Sequence, residues 1–165
     1  MPYSKIVNVV LNSNNKITGS VNNQAQYYVD WGAILQNNKK YKMHFTYMGQ
    51  ANTLTGTKIA TVFSDIQTNS NVTTGNGAMS TQFMGYLKIQ QYAPNINTNY
   101  LTAEDNTNVP LYLCNRPMNN LFTITINDNA ATPVLFLDNA VVPVVNAAYI
   151  MVLSFQEIED YDANF

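Results

Sequence analysis

Few side chains in this sequence are able to do covalent or metal chemistry, and their spacing restricts what they can do together. His44 is the only histidine, so a metal centre built on several imidazoles is excluded, and a serine or cysteine nucleophile would have to use this one residue as its base. It falls on the polar side of an alternating segment, where a solvent-facing or hydrogen-bonded structural histidine is expected. Cys114 is the only cysteine. In Leu111-Tyr112-Leu113-Cys114-Asn115-Arg116-Pro117 the alternation sets it opposite Leu111 and Leu113, and a buried, inert thiol is expected. Glu104 and Asp105 are adjacent and point apart in an extended segment, whereas glycoside hydrolysis needs carboxylates facing each other across a cleft at roughly 5–9 Å. The run Glu104-Asp105-Asn106-Thr107-Asn108 has oxygens that suit a hard cation, but its spacing is not that of an EF-hand loop and it reads as an Asx-rich turn. Asn71-Val72-Thr73 matches the glycosylation acceptor pattern, which carries weight only in a secreted chain. The inventory predicts a protein with no catalytic residues, no cofactor and no metal.

The elements that would position any site follow from composition and period. With 165 residues the chain is about one domain long and able to bury roughly 70% of its unfolded surface. Hydrophobic residues make up 46% and charged residues only 11%, against ~25% charged in ordinary globular chains. Asparagine and threonine stand in for the missing charge, in pairs such as Asn14-Asn15, Asn37-Asn38 and Asn119-Asn120. They favour turns, because their short side chains bond to nearby backbone. Eleven Tyr, seven Phe and regular Val and Ile argue against a disordered low-complexity chain.

The dominant period is two. In Lys40 to Met48, Tyr41, Met43, Phe45 and Tyr47 share one face while Lys42, His44 and Thr46 share the other. Leu121 to Ile126 repeats the pattern. Further strands are predicted at Lys5 to Leu11, Gln26 to Val29, Lys58 to Phe63, Phe83 to Gln91, Val109 to Cys114, Val134 to Leu137 and Ala148 to Gln156. The last is apolar on both sides, which predicts a central strand covered on each face. One helical turn is expected after Asp30, whose carboxylate caps the free amides while Trp31, Ile34 and Leu35 face inward. Two long polar loops are expected, between Ser64 and Ser80 and from Ala93 to Asn108. Eight or nine short antiparallel strands must pack as two sheets or close on themselves, and the mixture of long and tight connections favours Greek-key crossings in a sandwich or jelly roll. A single domain is expected over residues 1–156, followed by a tail at 157–165.

Partners are restricted in the same way. A net charge of −2 with eight Lys plus Arg offers no basic field for nucleic acid. No apolar run approaches the ~20 residues of a membrane helix. The start, Met1-Pro2-Tyr3-Ser4-Lys5, lacks the features of a signal peptide, and a lone cysteine fits a reducing compartment, so synthesis in cytosol is expected. The tail holds four of the ten acidic residues, Glu157, Glu159, Asp160 and Asp162, interleaved with Ile158, Tyr161 and Phe165. Such a strip suits an arm that orders on a neighbouring subunit. A neutral, Tyr-rich surface is cheap to desolvate and suits a large interface. The expected subunit contacts are Ile158, Tyr161 and Phe165 on the arm, Asn71 and Asn76 in the first long loop, and Tyr100 in the second.

Several stretches resemble a known family as a set: Val10-Leu11-Asn12-Ser13, Tyr28-Val29-Asp30-Trp31, Tyr41-Lys42-Met43-His44-Phe45-Thr46-Tyr47, Asn115-Arg116-Pro117 before Phe122-Thr123-Ile124, and the closing Tyr149 to Ile158. The sequence resembles small single jelly-roll capsid proteins, penton or minor capsid components, of large double-stranded DNA viruses and virophage-like relatives. The resemblance spans most of the chain through strand-edge patterns. It implies an eight-stranded antiparallel jelly roll, an all-β sandwich with Greek-key connections. It also implies a structural virion protein that self-associates, a pentamer being favoured, or cements other capsid proteins, and that is made and assembled in host cytoplasm. Many vertex proteins carry a basic inner arm; here the N-terminus has only Lys5, so contact with packaged genome is not implied. The alternative is a carbohydrate-binding or cell-attachment β-sandwich module in which Trp31, Tyr92 or Tyr100 would stack on sugar rings.

Overall fold

In the computed structural model, residues 5–18, 20, 23–51, 59–68, 82–91, 99–103, 111–128 and 148–158 are described. They form nine strands, β1 (Ile6–Asn12), β2 (Gln24–Tyr28), β3 (Lys40–Ala51), β4 (Ile59–Ser64), β5 (Gln82–Gln91), β6 (Asn99–Ala103), β7 (Leu111–Leu113), β8 (Leu121–Asp128) and β9 (Tyr149–Ile158). A 3-10 turn at Ser13–Asn15 and one helical turn, α1 (Trp31–Ile34), are the helical pieces among them.

Two four-stranded antiparallel sheets result, as the alternation predicts. One runs β1-β9-β3-β7 and the other β2-β8-β4-β5. β6 joins them along one side by pairing with the end of β3 and with β5, so the hydrogen-bonded path is continuous from β1 to β2. The inward residues fall at every second position. Tyr41, Met43, Phe45 and Tyr47 of β3 meet Tyr149, Met151, Leu153 and Phe155 of β9, and Ala25 and Tyr27 of β2 meet Phe122, Ile124 and Ile126 of β8, all in one buried cluster. A β-bulge between Val62 and Phe63 leaves Met84 without a partner in the β4 ladder, beside Gly85 at φ 154°. The extra residue shifts the phase of β5, so that Met84 and Leu87, three apart, both reach the core.

α1 forms as expected. Asp30 Oδ1 accepts the Gly32 N–H at 3.1 Å, Trp31 and Leu35 are buried, and Ile34 packs partly against the core. Trp31 fills the space between the sheets at one end. Its ring centroid stands 5.3 Å from Phe122 and 5.5 Å from Phe155, and its Nε1 donates to the Asn119 carbonyl at 3.1 Å. Tyr27, which pairs with Phe122, donates to the Tyr149 hydroxyl across the sandwich at 2.8 Å.

Three expectations are corrected. β6 lies inside the segment read as the second long loop, because its five residues are too few to reveal a period among Asn and Thr. β9 is central, between β1 and β3, but it is not covered on both sides: Ile150 is exposed and Val152 half-buried. β9 also continues through Glu157 and Ile158, which pair with Tyr41 and Lys40, so two residues read as arm belong to the sheet. The strand expected at Val134 to Leu137 lies outside the described residues.

Candidate functional site

The residues with chemical potential do not converge. His44 is half-buried on the outward side of β3, opposite Ser154 of β9. Cys114 is exposed, which corrects the expectation of a buried thiol. β7 ends at Leu113, so Cys114 leaves the ladder and its alternation. It lines a cleft of about 480 Å³ at one end of the sandwich together with Asp65, Tyr112, Arg116 and Met118. His44 is not among the lining residues, and Asp65 Oδ1 is engaged by the Thr123 N–H at 2.9 Å. The thiol therefore has no imidazole beside it to act as a base. Among the described residues no group of three or more His, Cys, Asp or Glu is placed to hold a metal ion.

The titrations that are strongly perturbed belong to packing. Burial pushes the Tyr27 phenol up to about 12, with the hydrogen bond to Tyr149 pulling the other way. Tyr149 and Tyr47 are raised well above the ordinary phenol range, first by burial and then by the neighbouring Tyr27. Tyr47 and Tyr149 stack with centroids 5.1 Å apart, and Gly49 lies beneath them. A Cβ on Gly49 would stand 2.7 Å from Tyr149 Cβ and 2.9 Å from the Tyr47 ring. These phenols form a neutral structural cluster.

Trp31 is fully buried, which removes the one tryptophan from any sugar-stacking role. Of the other two rings, Tyr92 lies outside the described residues, and Tyr100 is a ladder residue of β6 paired with Gln50 and Gln90.

What the strands do assemble is a surface. Alternation sends Lys40, Lys42, His44, Thr46 and Met48 of β3, Ile150, Val152, Ser154, Gln156 and Ile158 of β9, Ile6, Asn8, Val10 and Asn12 of β1, and Tyr112 of β7 to the outer face of the first sheet. The register sorts them into rows. Asn12, Ile150 and Met48 stand side by side, as do Val10, Val152 and Thr46. At the opposite end, Ile6, Gln156, Lys42 and Tyr112 form a row next to Ile158 and Lys40. Val10 is 62%, Met48 67% and Ile150 48% exposed, a contiguous apolar end on a sheet whose other face is core, while Ile6, 59% exposed, stands at the lysine end. The outer face of the second sheet differs: Gln24, Gln26, Thr123, Thr125 and Asn127 lie there, with Tyr28 and Leu121 at one end.

Of the expected subunit contacts, two fall on described residues, Ile158 and Tyr100. Ile158 ends β9 half-buried opposite Lys40, beside the ion pair between Lys39 Nζ and Glu157 Oε1 at 2.7 Å. Asn71, Asn76, Tyr161 and Phe165 lie outside the described residues, and Tyr100 is a ladder residue of β6 paired with Gln50, two residues beyond Met48 on β3. Sequence reasoning missed Ile6, Val10, Met48 and Ile150. Their signal was present as apolar residues on the polar side of each strand's alternation. No family model matches the chain, and no curated protein matches it.

Proposed function

We propose that this chain is a single jelly roll acting as a structural virion protein, a penton or minor capsid component that associates with copies of itself and packs against major capsid proteins. The observation that carries the proposal is the nesting of strand pairs. β1 pairs with β9, β2 with β8, β3 with β7 and β4 with β5. One long antiparallel hairpin wrapped around a core gives this nesting, and that is the path of a jelly roll. Among the described strands, β6 is the one outside the nest, bridging the two sheets.

Jelly rolls also serve lectins and enzymes. Here Trp31 is spent on the core, and Cys114 and His44 do not line a common cleft, whereas a broad sheet face, apolar at one end and carrying two lysines at the other, is left outward. Those features support a role in which the product of the fold is an interface. A pentamer is the assembly favoured, built in host cytoplasm and delivered in the virion.

Light scattering on a size-exclusion column tests this with the full chain. A stable pentamer or larger assembly is expected at micromolar concentration. A monomer that holds at every concentration and binds a glycan array would refute it and return the chain to the carbohydrate-binding class.

A further inference from the structure

The outer face of the β1-β9-β3-β7 sheet has two properties at once. One end is apolar, through Val10, Met48, Ile150 and the half-buried Val152. The other carries Lys40 and Lys42, and no residue directed to this face by the register is a carboxylate. The segment that follows β9 is its complement: Glu159-Asp160-Tyr161-Asp162-Ala163-Asn164-Phe165 has three carboxylates, no cation and two aromatic anchors. We infer that this face is the docking surface for residues 159–165 of a second copy of the chain, its carboxylates on the Lys40 and Lys42 end and Phe165 on the apolar end. The inference rests on the self-association proposed above and names the surfaces that make it.

Reach decides between a neighbour's arm and the chain's own. β9 ends with Ile158 at the lysine end, and Ile150 and Met48 lie at the far end behind it. Tyr161 and Phe165 stand three and seven residues past Ile158, at most ~11 and ~25 Å away when extended. Ile150 lies eight strand rises, ~26 Å, back along β9. A chain reversal consumes several residues, so Phe165 falls short of its own apolar end. A neighbour's arm arriving from outside has no reversal to make. Opposite charge then sets the register of docking, and burial of the rings against apolar side chains holds it.

The experiment uses the full chain in four forms: unaltered; Met48→Asp; the arm variant Glu159→Lys, Asp160→Lys, Asp162→Lys; and that arm variant combined with Lys40→Glu and Lys42→Glu. Assembly is followed by light scattering against concentration at low and high salt. Met48→Asp and the arm variant each weaken assembly at least about tenfold, and reversing both surfaces together restores it. Isotopically heavy and light chains refolded together and treated with a carbodiimide yield linked peptides joining Lys42 of one chain to Glu159, Asp160 or Asp162 of the other. Unchanged assembly in Met48→Asp and in the arm variant overturns the docking while leaving self-association standing. So do linked peptides confined to single chains. An unaltered chain that stays monomeric overturns both proposals. Met48 is exposed, so its replacement leaves the core packing untouched, and circular dichroism on each form separates lost assembly from lost fold.

Discussion

Replacing Gly49 by alanine tests the packing of the tyrosine cluster, because the added methyl has nowhere to go. Gly49 pairs with Tyr149 in the β3–β9 ladder, and the Cβ would stand 2.7 Å from Tyr149 Cβ and 2.9 Å from both Cε1 and the hydroxyl of Tyr47. The Tyr149 Cβ is rigid, attached directly to backbone that pairs with Gly49 of β3 and whose N–H donates to Ser13 Oγ at 3.1 Å, so it yields only if the ladder yields. Overpacking of this kind costs about 1–3 kcal/mol, while alanine recovers about 0.5–1 kcal/mol of the entropy that glycine loses in a strand. The net expectation is a destabilisation of about 1–2 kcal/mol, or a melting temperature lower by roughly 3–6 °C for a chain of this size. Urea unfolding followed by the emission of Trp31 measures it. Tyr47→Phe sharpens the test: the Tyr47 hydroxyl is buried without a hydrogen-bond partner among the described residues, so its removal is neutral or stabilising and relieves part of the Gly49→Ala cost in the double variant. If Gly49→Ala raises the unfolding midpoint, the close approach of the two rings to this backbone is wrong.

The same cluster sets an alkaline limit. In the unfolded chain a phenol titrates near 10, whereas Tyr27 is held up to about 12 and Tyr47 and Tyr149 are also raised. The stabilisation is complete below pH 10 and is lost as pH rises from there towards 12, because the unfolded chain releases its protons first. The slope approaches ~1.4 kcal/mol per pH unit for each phenol that stays protonated, about 4 for the three. Urea midpoints between pH 8 and 11.5 check it, and a flat profile to pH 11 contradicts the burial. Trp31→Ala removes the ring between Phe122 and Phe155 and is expected to cost about 3–5 kcal/mol. Trp31→Phe, which keeps packing but leaves the Asn119 carbonyl without its donor, is expected to cost about 1–2 kcal/mol, again read by urea unfolding.

How much of this was legible in the sequence depends on the range over which each feature is encoded. The Tyr41, Met43, Phe45, Tyr47 stripe of β3 and the Phe122, Ile124, Ile126 stripe of β8 are visible locally, because the strand period sets every second side chain on one face. The Asp30 cap is visible too, since the motif is complete within three residues. β6 is not: five residues, Asn99 to Ala103, are held by ladders to β3 and β5 that no local pattern announces. Cys114 was misread because burial by alternation stops where the ladder stops, one residue earlier than expected. Ile150 and Val152 look identical in sequence to residues covered on both faces, and only their exposure in the folded chain distinguishes them. The bond between Tyr27 and Tyr149 joins residues 122 apart, and its partner choice depends on the crossing of the sheets. The burial of Trp31 is visible locally as well, because it directly follows the Asp30 cap on the inward side of the helical turn.

β6 also governs how the sandwich comes apart. By pairing with β3 and β5 it stitches the two sheets together along one margin, leaving β1 and β2 as the two ends of the hydrogen-bonded path. The molecule is therefore mechanically a clamshell, with its hinge at β6 and its lips at β1 and β2. Those lips are consecutive in the chain, so a pull on the N-terminal side peels β1 from β9 and then β2 from β8 one ladder bond at a time. A load applied along the strands has to shear whole ladders at once. The fold yields easily at one margin and resists everywhere else.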